Sequence, residues 1–417
     1  MDYEGLEGAR RVCALLGCLV LGGCSTDQGA WSEPDLELRI YASPYENVDW
    51  ASDMRLTAQH HDHIAASVAG LLAYEAAGYD VVSLMDYSGD VGFRDSLRER
   101  LWPANRWVPT SLLPSFKSIK VFVPNAEESG LPMRPGEQLK HVTSPFLETY
   151  IEGANSPGTA WSPNQYGTMD QLLARVREFG GVPCVAHPWN FSYVEMDLKG
   201  DYCVEVYSAY AEAFRELGLP YFVNTDRNKA LVDQWDRALE DNQRVFAIAV
   251  NDHFGPATRA PLSAQTIDSG KILVLAKAAT LPAYRDAFSS GSFFAVRDVG
   301  AIKNRYPRVS SIDVQSTLIF VETTATVKWI ANGAIVGTGP MLLYRDLPYG
   351  VTYVRAEIAG QDGSTVYTQA FPVRPIGDVN GDYLLDQQDE ALCYEIRVTG
   401  TGDSTQRRAC DARVGVP

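Results

Sequence analysis

Between residues 56 and 250, short apolar segments alternate with segments of helical composition. The sequence predicts strands at 56–63, 79–85, 119–123, 182–186, 204–207, 221–224 and 245–250. It predicts helices at 65–77, 169–179, 209–217 and 227–240. Apolar strands that alternate with helices are typical of α/β folds with a parallel sheet. The pattern therefore predicts an α/β domain at residues 55–300, with a parallel sheet that is either open or closed into a barrel.

From about residue 300 the helix period disappears. Short runs that alternate apolar and polar residues replace it, as at 326–330 and 352–356, with Gly and Pro between them. Such alternation indicates antiparallel strands with one buried face. Because an open sheet would leave its edges exposed, the sequence predicts a small antiparallel β-sandwich at residues 301–375.

Three of the six histidines lie within residues 59–64. Side chains alternate between the two faces of a strand. His61 and His63 are therefore predicted to share one face, while His60 and Asp62 point away from it. Two imidazoles on one face can hold one metal ion or bridge two. From this segment alone, the alternative is a histidine cluster on the surface.

Side chains that can bind metal also follow other predicted strands. The residues at or after strand ends are His61, His63, Asp86, Glu127, His187 and His253. In closed parallel barrels, functional residues come from the C-terminal ends of the strands. This coincidence favours a metal site over a surface cluster.

The chain has 417 residues and a formal net charge of −16. That length is sufficient for two or three domains. A protein this acidic repels phosphate backbones, so nucleic acid is not a predicted partner.

The N-terminus resembles a targeting segment. Arg10 and Arg11 precede the apolar run 12–21, which is too short to span a bilayer and fits the core of a signal peptide. The run ends in LGGC at 21–24, which resembles a bacterial lipobox with Cys24 as the lipidated residue. The sequence predicts a signal peptide at 1–24, a linker at 25–54, and export to the cell envelope (outer membrane or periplasm), with membrane attachment through the lipid only. A plain cleaved signal peptide is the alternative.

Four cysteines lie outside the signal region: Cys184, Cys203, Cys393 and Cys410. In an oxidising compartment they can pair as 184–203 and 393–410. No CxxC pattern suggests a zinc knuckle.

Together these segments resemble the PHP superfamily (polymerase and histidinol phosphatase) of metal-dependent hydrolases, and within it the CehA/McbA-type metallohydrolases. The resemblance rests on HDH at 61–63, GYDVVSLMDY at 78–87, VPNAE at 123–127, GVPCVAHP at 181–188, EVY at 205–207 and VNDH at 250–253. His141 resembles the histidine that follows the glutamate strand. The match covers residues 55–373, which is most of the chain.

The resemblance implies a distorted (β/α)7 barrel that holds two or three divalent ions of Zn, Mn or Fe. It implies hydrolysis of a phosphoester, or in some relatives of a carbamate or amide-like bond, with a metal-bound hydroxide as the nucleophile. The implied metal ligands are His61, His63, Glu127, His141, His187 and His253, with Asn251 or Asp252 completing the set. Asp86 and Asp252 are the predicted catalytic carboxylates.

Two residues depart from the family pattern. Tyr87 stands where the family has a histidine, and Asn251 stands where it has an aspartate if His253 is the final histidine. A neutral amide binds a divalent cation more weakly than a carboxylate does. A shift of one residue would let Asp252 supply the carboxylate and would leave Phe254 in the place of the histidine. The alternative function is a surface binding or adhesion protein that keeps the barrel without turnover.

Residues 376–417 contain the ligand spacing of a calcium loop. The predicted ligands at loop positions 1, 3, 5, 7, 9 and 12 are Asp378, Asn380, Asp382, Leu384, Asp386 and Asp389. The segment resembles the first repeat of a dockerin, although Tyr383 replaces the usual glycine. Residues 408–413 resemble the start of a second repeat, which a full dockerin has. Because only the start of a second repeat is recognisable, the sequence predicts a single calcium-stabilised module. Whether this module binds a cohesin stays an open question.

Overall fold

The computed structural model of the chain describes residues 38–62, 68–85, 110–125, 127–129, 141–147, 169–188, 202–216, 226–241, 244–252, 268–300, 304–348, 350–381 and 387–413. The predicted signal peptide, Cys24 and the predicted strand at 221–224 lie outside the described residues. Among the described residues, no helix has the length and apolar character needed to cross a membrane.

The described strands, in chain order, are β1 (Leu38–Arg39), β2 (Met54–Gln59), β3 (Val81–Leu84), β4 (Val121–Pro124), β5 (Glu127–Ser129), β6 (His141–Thr143), β7 (Cys184–Ala186), β8 (Tyr202–Ser208), β9 (Val245–Val250), β10 (Gly270–Ala276), β11 (Phe293–Arg297), β12 (Ser311–Val314), β13 (Leu318–Glu322), β14 (Thr326–Ala331), β15 (Ala334–Thr338), β16 (Met341–Leu343), β17 (Tyr353–Ala359), β18 (Thr365–Tyr367), β19 (Phe371–Pro372) and β20 (Arg374–Pro375). The described α-helices are α1 (Val68–Ala76), α2 (Met169–Glu178), α3 (Ala209–Glu216), α4 (Arg227–Glu240), α5 (Leu281–Ser290), α6 (Gln387–Thr399) and α7 (Ser404–Arg413). Short 3-10 helices lie at Thr110–Ser115 and Tyr344–Asp346. The protein is a mixed α/β structure with several sheets.

The first predicted strand is shorter than the sequence indicates. β2 ends at Gln59, so His60, His61 and Asp62 follow the strand instead of continuing it to residue 63. The expected alternation of faces therefore does not govern these three side chains. The strand predicted at 245–250 and the helix at 227–240 have the predicted ends. The other strands and helices predicted between residues 65 and 250 are present with shifted ends, apart from the strand at 221–224, which is not described.

Two groups of parallel strands form the predicted parallel sheet. β2, β3 and β4 pair in parallel within a ten-stranded sheet, and β7, β8 and β9 pair in parallel within a five-stranded sheet. Every residue of β3, β8 and β9 is buried. Strands buried on both faces are typical of parallel sheets.

The two sheets share one hydrophobic core. Leu56, Val81 and Val123 from the ten-stranded sheet pack in the same cluster as Ile248 and Cys203 from the five-stranded sheet. Leu172 of α2 and Trp235 of α4 belong to a second cluster, with β7, β8 and β9. Within the described residues, no hydrogen-bonded ladder joins the two sheets, so closure into a (β/α)7 barrel stays a prediction.

The ten-stranded sheet continues across residue 300. β10 pairs antiparallel with β2 on one side and with β11 on the other. β11 pairs with β18, and the ladder extends through β17 and β14 to β15. One sheet thus contains strands from both sides of the predicted domain boundary, and that boundary stays a prediction.

A three-stranded antiparallel sheet packs against this extension. β13 lies between β12 and β16. Ile319 and Val321 of β13 share a hydrophobic cluster with Trp329 of β14 and Val354 of β17. Two antiparallel sheets therefore enclose one core in the region where a β-sandwich was predicted.

Residues 38–53, which belong to the predicted linker 25–54, pack on the protein. Tyr45 is buried, its ring lies 5.1 Å from that of Phe294, and its hydroxyl donates to the Phe293 carbonyl over 3.0 Å. β1 pairs with β20 near the end of the β-region. A buried tyrosine with a satisfied hydroxyl fixes its segment, because the aromatic ring contributes a large buried area.

Helices α6 and α7 form a C-terminal module held by the Cys393–Cys410 disulfide, one of the two pairings that the sequence allows. Val379, Cys393 and Ile396 pack around Tyr41 of the N-terminal segment. Residues 408–413, which resemble the start of a second repeat, lie in α7. The other allowed disulfide, Cys184–Cys203, is also present and joins β7 to β8.

Candidate functional site

The candidate site lies where β2, β6, β7, β8 and β9 bring polar side chains together. His61 comes two residues after β2, and His187 directly follows β7. Asp252 comes two residues after β9. β7 and β9 belong to one sheet and β2 to the other, and the packing of the two sheets in one core brings the residues that follow these strands together. The structure thus gathers histidines and carboxylates that follow strand ends.

Glu205 of β8 holds two of these histidines. Its side chain is fully buried. Its Oε1 atom lies 2.5 Å from Nδ1 of His61, and its Oε2 atom accepts the backbone N–H of His187 over 2.7 Å. A carboxylate at Nδ1 fixes the tautomer of the imidazole and turns its Nε2 atom toward the site.

Asp252 faces the other nitrogen of His61. Its Oδ1 atom lies 3.3 Å from Nε2 of His61, and its backbone N–H donates to the His61 carbonyl over 2.9 Å. Asp252 has a φ of +57° and His187 a φ of +32°. Asp and His tolerate this region of the backbone map better than most residues. Both backbones are therefore bent in a way that directs the side chains into the site.

His141 and His187 complete the described group. The ring of His187 lies 5.1 Å from that of His141 and 5.9 Å from that of His61, measured between centroids. His61 and His141 are buried, and His187 is half-buried. The half-buried ring places the group next to solvent, where a ligand can reach it.

Tyr210, at the start of α3, borders the group. Its backbone N–H donates to the Asn251 carbonyl over 3.1 Å. Burial and the charge of Asp252 raise the pKa of its hydroxyl to about 12. The phenol therefore stays protonated beside Asp252 at neutral pH.

The donor set fits a divalent transition metal. Imidazole nitrogen and carboxylate oxygen suit Zn, Mn and Fe. Two ligands about 2.1 Å from one ion lie about 3.0–3.4 Å apart at tetrahedral or octahedral angles. The 3.3 Å separation of His61 Nε2 and Asp252 Oδ1 matches that spacing. Within the described residues, no group of three His, Cys, Asp or Glu side chains is arranged to hold a metal ion.

Several predicted site residues cannot be placed. His63, Asp86, Tyr87 and His253 lie outside the described residues. The structure describes the backbone of Glu127, which pairs with Thr143 between β5 and β6, and its side chain lies outside the description. These assignments stay predictions.

Asn251 lies in a buried polar cluster with Gly270, Tyr74 and Tyr79. Its side chain is fully buried, and its Oδ1 atom accepts the backbone N–H of Gly270 over 2.8 Å. It is also hydrogen-bonded to the hydroxyls of Tyr74 and Tyr79. Of the two sequence alternatives, Asp252 is the residue that the structure brings to His61.

The neighbours of His61 have other environments. His60 is buried and stacks on Phe288, with 4.6 Å between ring centroids. Burial and the neighbouring His61 lower the pKa of His60 to about 3. Asp62 accepts a hydrogen bond from the hydroxyl of Tyr74. Neither side chain joins the histidine group.

The predicted calcium loop is described at its two ends. Asp378 and Asp389 are buried, and Oδ1 of Asp389 accepts the backbone N–H groups of Val379 and Asn380 over 2.7 Å and 3.2 Å. Oδ1 of Asp378 accepts the N–H of Gly381 over 2.6 Å. Asp382, Leu384 and Asp386 lie outside the described residues.

Glu205 belongs to the EVY segment at 205–207, but the sequence analysis predicted no role for it. It lies in the segment YCVEVYS, in which every residue is buried. A carboxylate inside an apolar strand is costly unless it is paired. The sequence signal for a role of Glu205 was therefore a carboxylate inside an otherwise apolar predicted strand.

Comparisons with known proteins add little to this geometry. Neither a protein-family model nor a curated protein sequence matches the chain. Among solved structures, the chain is similar to a two-domain protein from Bacteroides vulgatus that contains a predicted PHP-like metal-dependent phosphoesterase. The two share 15% sequence identity with a TM-score of 0.38, over 78% of this chain and 88% of that chain. A similarity this low assigns no residue roles.

Proposed function

We propose that this protein is a metal-dependent hydrolase of the PHP type that acts on phosphoesters. The observation that carries the proposal is the position of His61, with Nδ1 held by Glu205 and Nε2 3.3 Å from Asp252. His141 and His187 lie beside it. The motif resemblance supports the phosphoester as substrate, with a carbamate or amide-like bond as the second substrate class.

The chain's own residues have distinct roles in this proposal. His61, His141, His187 and Asp252 would hold the metal, together with His63, Glu127 and His253. A divalent Zn, Mn or Fe ion, when bound, polarises the ester and lowers the pKa of water toward neutrality. Glu205 accepts a hydrogen bond from the protonated Nδ1 of His61, which leaves Nε2 as the nitrogen that would bind the metal. It also anchors the backbone of His187.

We also propose that the protein is exported and lipid-anchored through Cys24. The signal-like run 12–21 and the LGGC segment carry this part. The Cys184–Cys203 and Cys393–Cys410 disulfides support it, because structural disulfides persist mainly in oxidising compartments.

A calcium ion in the loop 378–389 is proposed as a separate structural ion. Asp389 joins the two ends of the loop through the backbone N–H groups of Val379 and Asn380, and the oxygen spacing of the loop suits calcium. The ion would stabilise the C-terminal module and take no part in hydrolysis.

Elemental analysis and a hydrolysis assay on the purified protein test the proposal together. After loading with Zn, Mn or Fe, we expect bound transition metal and turnover of p-nitrophenyl phosphate or bis(p-nitrophenyl) phosphate. His61→Ala should lose both, whereas Asp233→Asn, on the exposed side of α4, should keep both. If His61→Ala retained the transition metal of the unmodified protein, the site would be misplaced.

The alternative is a binding protein without turnover. Asn251 favours it, because this amide stands where relatives of the motif have a carboxylate and is committed to Gly270, Tyr74 and Tyr79. Bound transition metal without hydrolysis of phosphomonoester, phosphodiester or carbamate would support this alternative over the hydrolase.

A further inference from the structure

Tyr74 lies between the two segments that carry His61 and Asp252. It belongs to α1, and its side chain is fully buried. Its hydroxyl donates to Oδ2 of Asp62, the residue after His61. The same hydroxyl is hydrogen-bonded to the side chain of Asn251, the residue before Asp252. One phenol therefore contacts the immediate neighbours of two side chains that face each other over 3.3 Å.

The direction of these hydrogen bonds follows from the protons that are available. A phenol has a single proton to donate, and that of Tyr74 goes to Asp62. The oxygen of Tyr74 can therefore only accept from Asn251. In Asn251, Oδ1 accepts the backbone N–H of Gly270 over 2.8 Å, and Nδ2 is the atom that carries protons. Donation thus runs from Asn251 to Tyr74 and from Tyr74 to Asp62, an arrangement that we call the relay.

The relay requires an amide at position 251. An ionised aspartate would have no proton to donate to Tyr74. It would also add a second negative charge near Asp62, and neighbouring like charges disfavour each other's ionised form. The hydroxyl of Tyr79 is hydrogen-bonded to the same amide, and its ring lies 4.9 Å from that of Tyr74. The departure of Asn251 from the family pattern therefore matches the surroundings of its side chain.

The relay is closed to solvent. Its members and the adjoining tyrosine are all fully buried, namely Asp62, Tyr74, Tyr79 and Asn251. A buried polar group that loses a partner is destabilised by more than the hydrogen bond itself contributes. Removal of the Tyr74 hydroxyl would take one partner from Asp62 and one from Asn251. We expect the two segments to shift in response.

The backbone of Asp252 depends on such support. Its φ of +57° lies in the left-handed region, which residues other than glycine keep only where their surroundings fix it. The N–H of Asp252 donates to the His61 carbonyl over 2.9 Å. The preceding residue, Asn251, is fixed by Gly270 and Tyr74. This bent backbone brings the Asp252 carboxylate to His61.

We propose that Tyr74 and Asn251 are positioning residues of the metal site. The relay that they form with Asp62 sets the separation of His61 and Asp252. Neither Tyr74 nor Asn251 binds the metal in this arrangement, since each acts through its neighbours. The inference rests on the proposed metal-dependent function. Loss of the relay should therefore weaken metal binding and change the ligand geometry without removing a ligand.

Binding of Co²⁺ to the purified protein tests this role, because the arrangement of the ligands determines the visible absorption of the bound ion. Tyr74→Phe removes only the hydroxyl. In competition with a chromophoric chelator, we expect this variant to bind Co²⁺ about tenfold more weakly and with a changed absorption spectrum. Tyr284→Phe is the matched control. Tyr284 is also fully buried, and its hydroxyl has no hydrogen-bond partner within the described part of the chain.

Asp62 provides a second test that leaves Tyr74 in place. Asp62→Asn retains a side-chain oxygen that can accept from Tyr74, whereas Asp62→Ala does not. We expect Asp62→Asn to keep most of the Co²⁺ affinity and Asp62→Ala to lose about tenfold. This pair decides the question if Tyr74→Phe does not fold.

The outcomes separate this inference from the proposed function. The positioning role is overturned, and the function stands, if Tyr74→Phe binds Co²⁺ with the affinity and spectrum of Tyr284→Phe. Equal Co²⁺ affinity in the two Asp62 variants has the same meaning. A thermal melt of each variant is the companion measurement, and a lower melting temperature of Tyr74→Phe with unchanged Co²⁺ binding would assign the relay to stability alone. If the unmodified protein bound no Co²⁺, the proposed function and this inference would both fail.

Discussion

Glu205 and His61 are joined by a buried contact of 2.5 Å between Oε1 and Nδ1. The second oxygen of the same carboxylate accepts the backbone N–H of His187. One side chain of β8 therefore sets the orientation of an imidazole after β2 and the path of the chain after β7. Mutation of a carboxylate placed in this way typically weakens metal binding 10–100-fold.

Glu205→Gln should therefore weaken transition-metal binding by about 10–100-fold. The amide retains the size of the carboxylate but cannot accept from both His61 and His187 with charged oxygens. Competition with a chromophoric chelator measures the affinity. Glu178→Gln, at the exposed end of α2, is the matched control and should bind metal as the unmodified protein does. Equal affinities in the two variants would remove Glu205 from the site.

The sequence predicted which strands end at this site but not how their ends are joined. His61 and His187 were predicted from strand ends and Asp252 from the motif resemblance, and the structure brings the three together. Glu205 was not predicted, because its role depends on the register of β8 beside β7 and on the approach of β2. Those relationships come from tertiary packing, which no local pattern specifies.

The Cys184–Cys203 disulfide lies close to this same pair of strands. The two cysteines are directly opposite in the β7–β8 ladder, three residues before His187 and two before Glu205. Replacing both by Ala should lower the free energy of unfolding by about 3 kcal/mol, from the loss of a 19-residue cross-link. It should also weaken metal binding, because the register that places Glu205 beneath His187 becomes less constrained.

The Cys393–Cys410 disulfide is a matched control, since it closes a loop of similar length, 17 residues. Its removal should destabilise the C-terminal module and leave the transition-metal affinity unchanged. Chemical denaturation and the chelator assay measure the two quantities separately. Equal effects of the two double variants on metal affinity would contradict a specific role for Cys184–Cys203.

The predicted linker illustrates a second limit of sequence reasoning. The segment 25–53 contains proline and many polar residues, which is typical of a tether, although its second half also contains Leu38, Tyr41 and Tyr45. Tyr41 and Tyr45 nevertheless anchor this segment. Their hydroxyl oxygens accept the backbone N–H groups of Gly377 and Gln369, which lie more than 300 residues away in the chain. A local pattern contains no information on contacts at that separation.

Glu46 and Arg408 link the same segment to α7. The hydrogen bond from Arg408 lowers the pKa of Glu46, so the pair stabilises the folded protein above the unfolded pKa of the carboxyl. This contribution is lost as the pH falls through the lowered folded pKa. Glu46→Gln should therefore lower the melting temperature more at pH 7 than at pH 3. Glu395→Gln, on the exposed face of α6, is the control. An equal loss at pH 7 and at pH 3 would contradict this ion pair.

Asn251 and Asp252 provide the sharpest test of the site. Asn251→Asp would place a carboxylate in a fully buried cluster beside Tyr74, whose hydroxyl already donates to Asp62. An uncompensated buried charge costs about 3–5 kcal/mol, so we expect this variant to be destabilised by that amount without gaining metal. Asp252→Asn should keep the fold and bind transition metal at least tenfold more weakly, because it loses the charged oxygen 3.3 Å from His61. Thermal melts and elemental analysis measure the two effects. If Asn251→Asp instead bound additional metal and Asp252→Asn bound as much as the unmodified protein, Asn251 would occupy the ligand position and Asp252 would not.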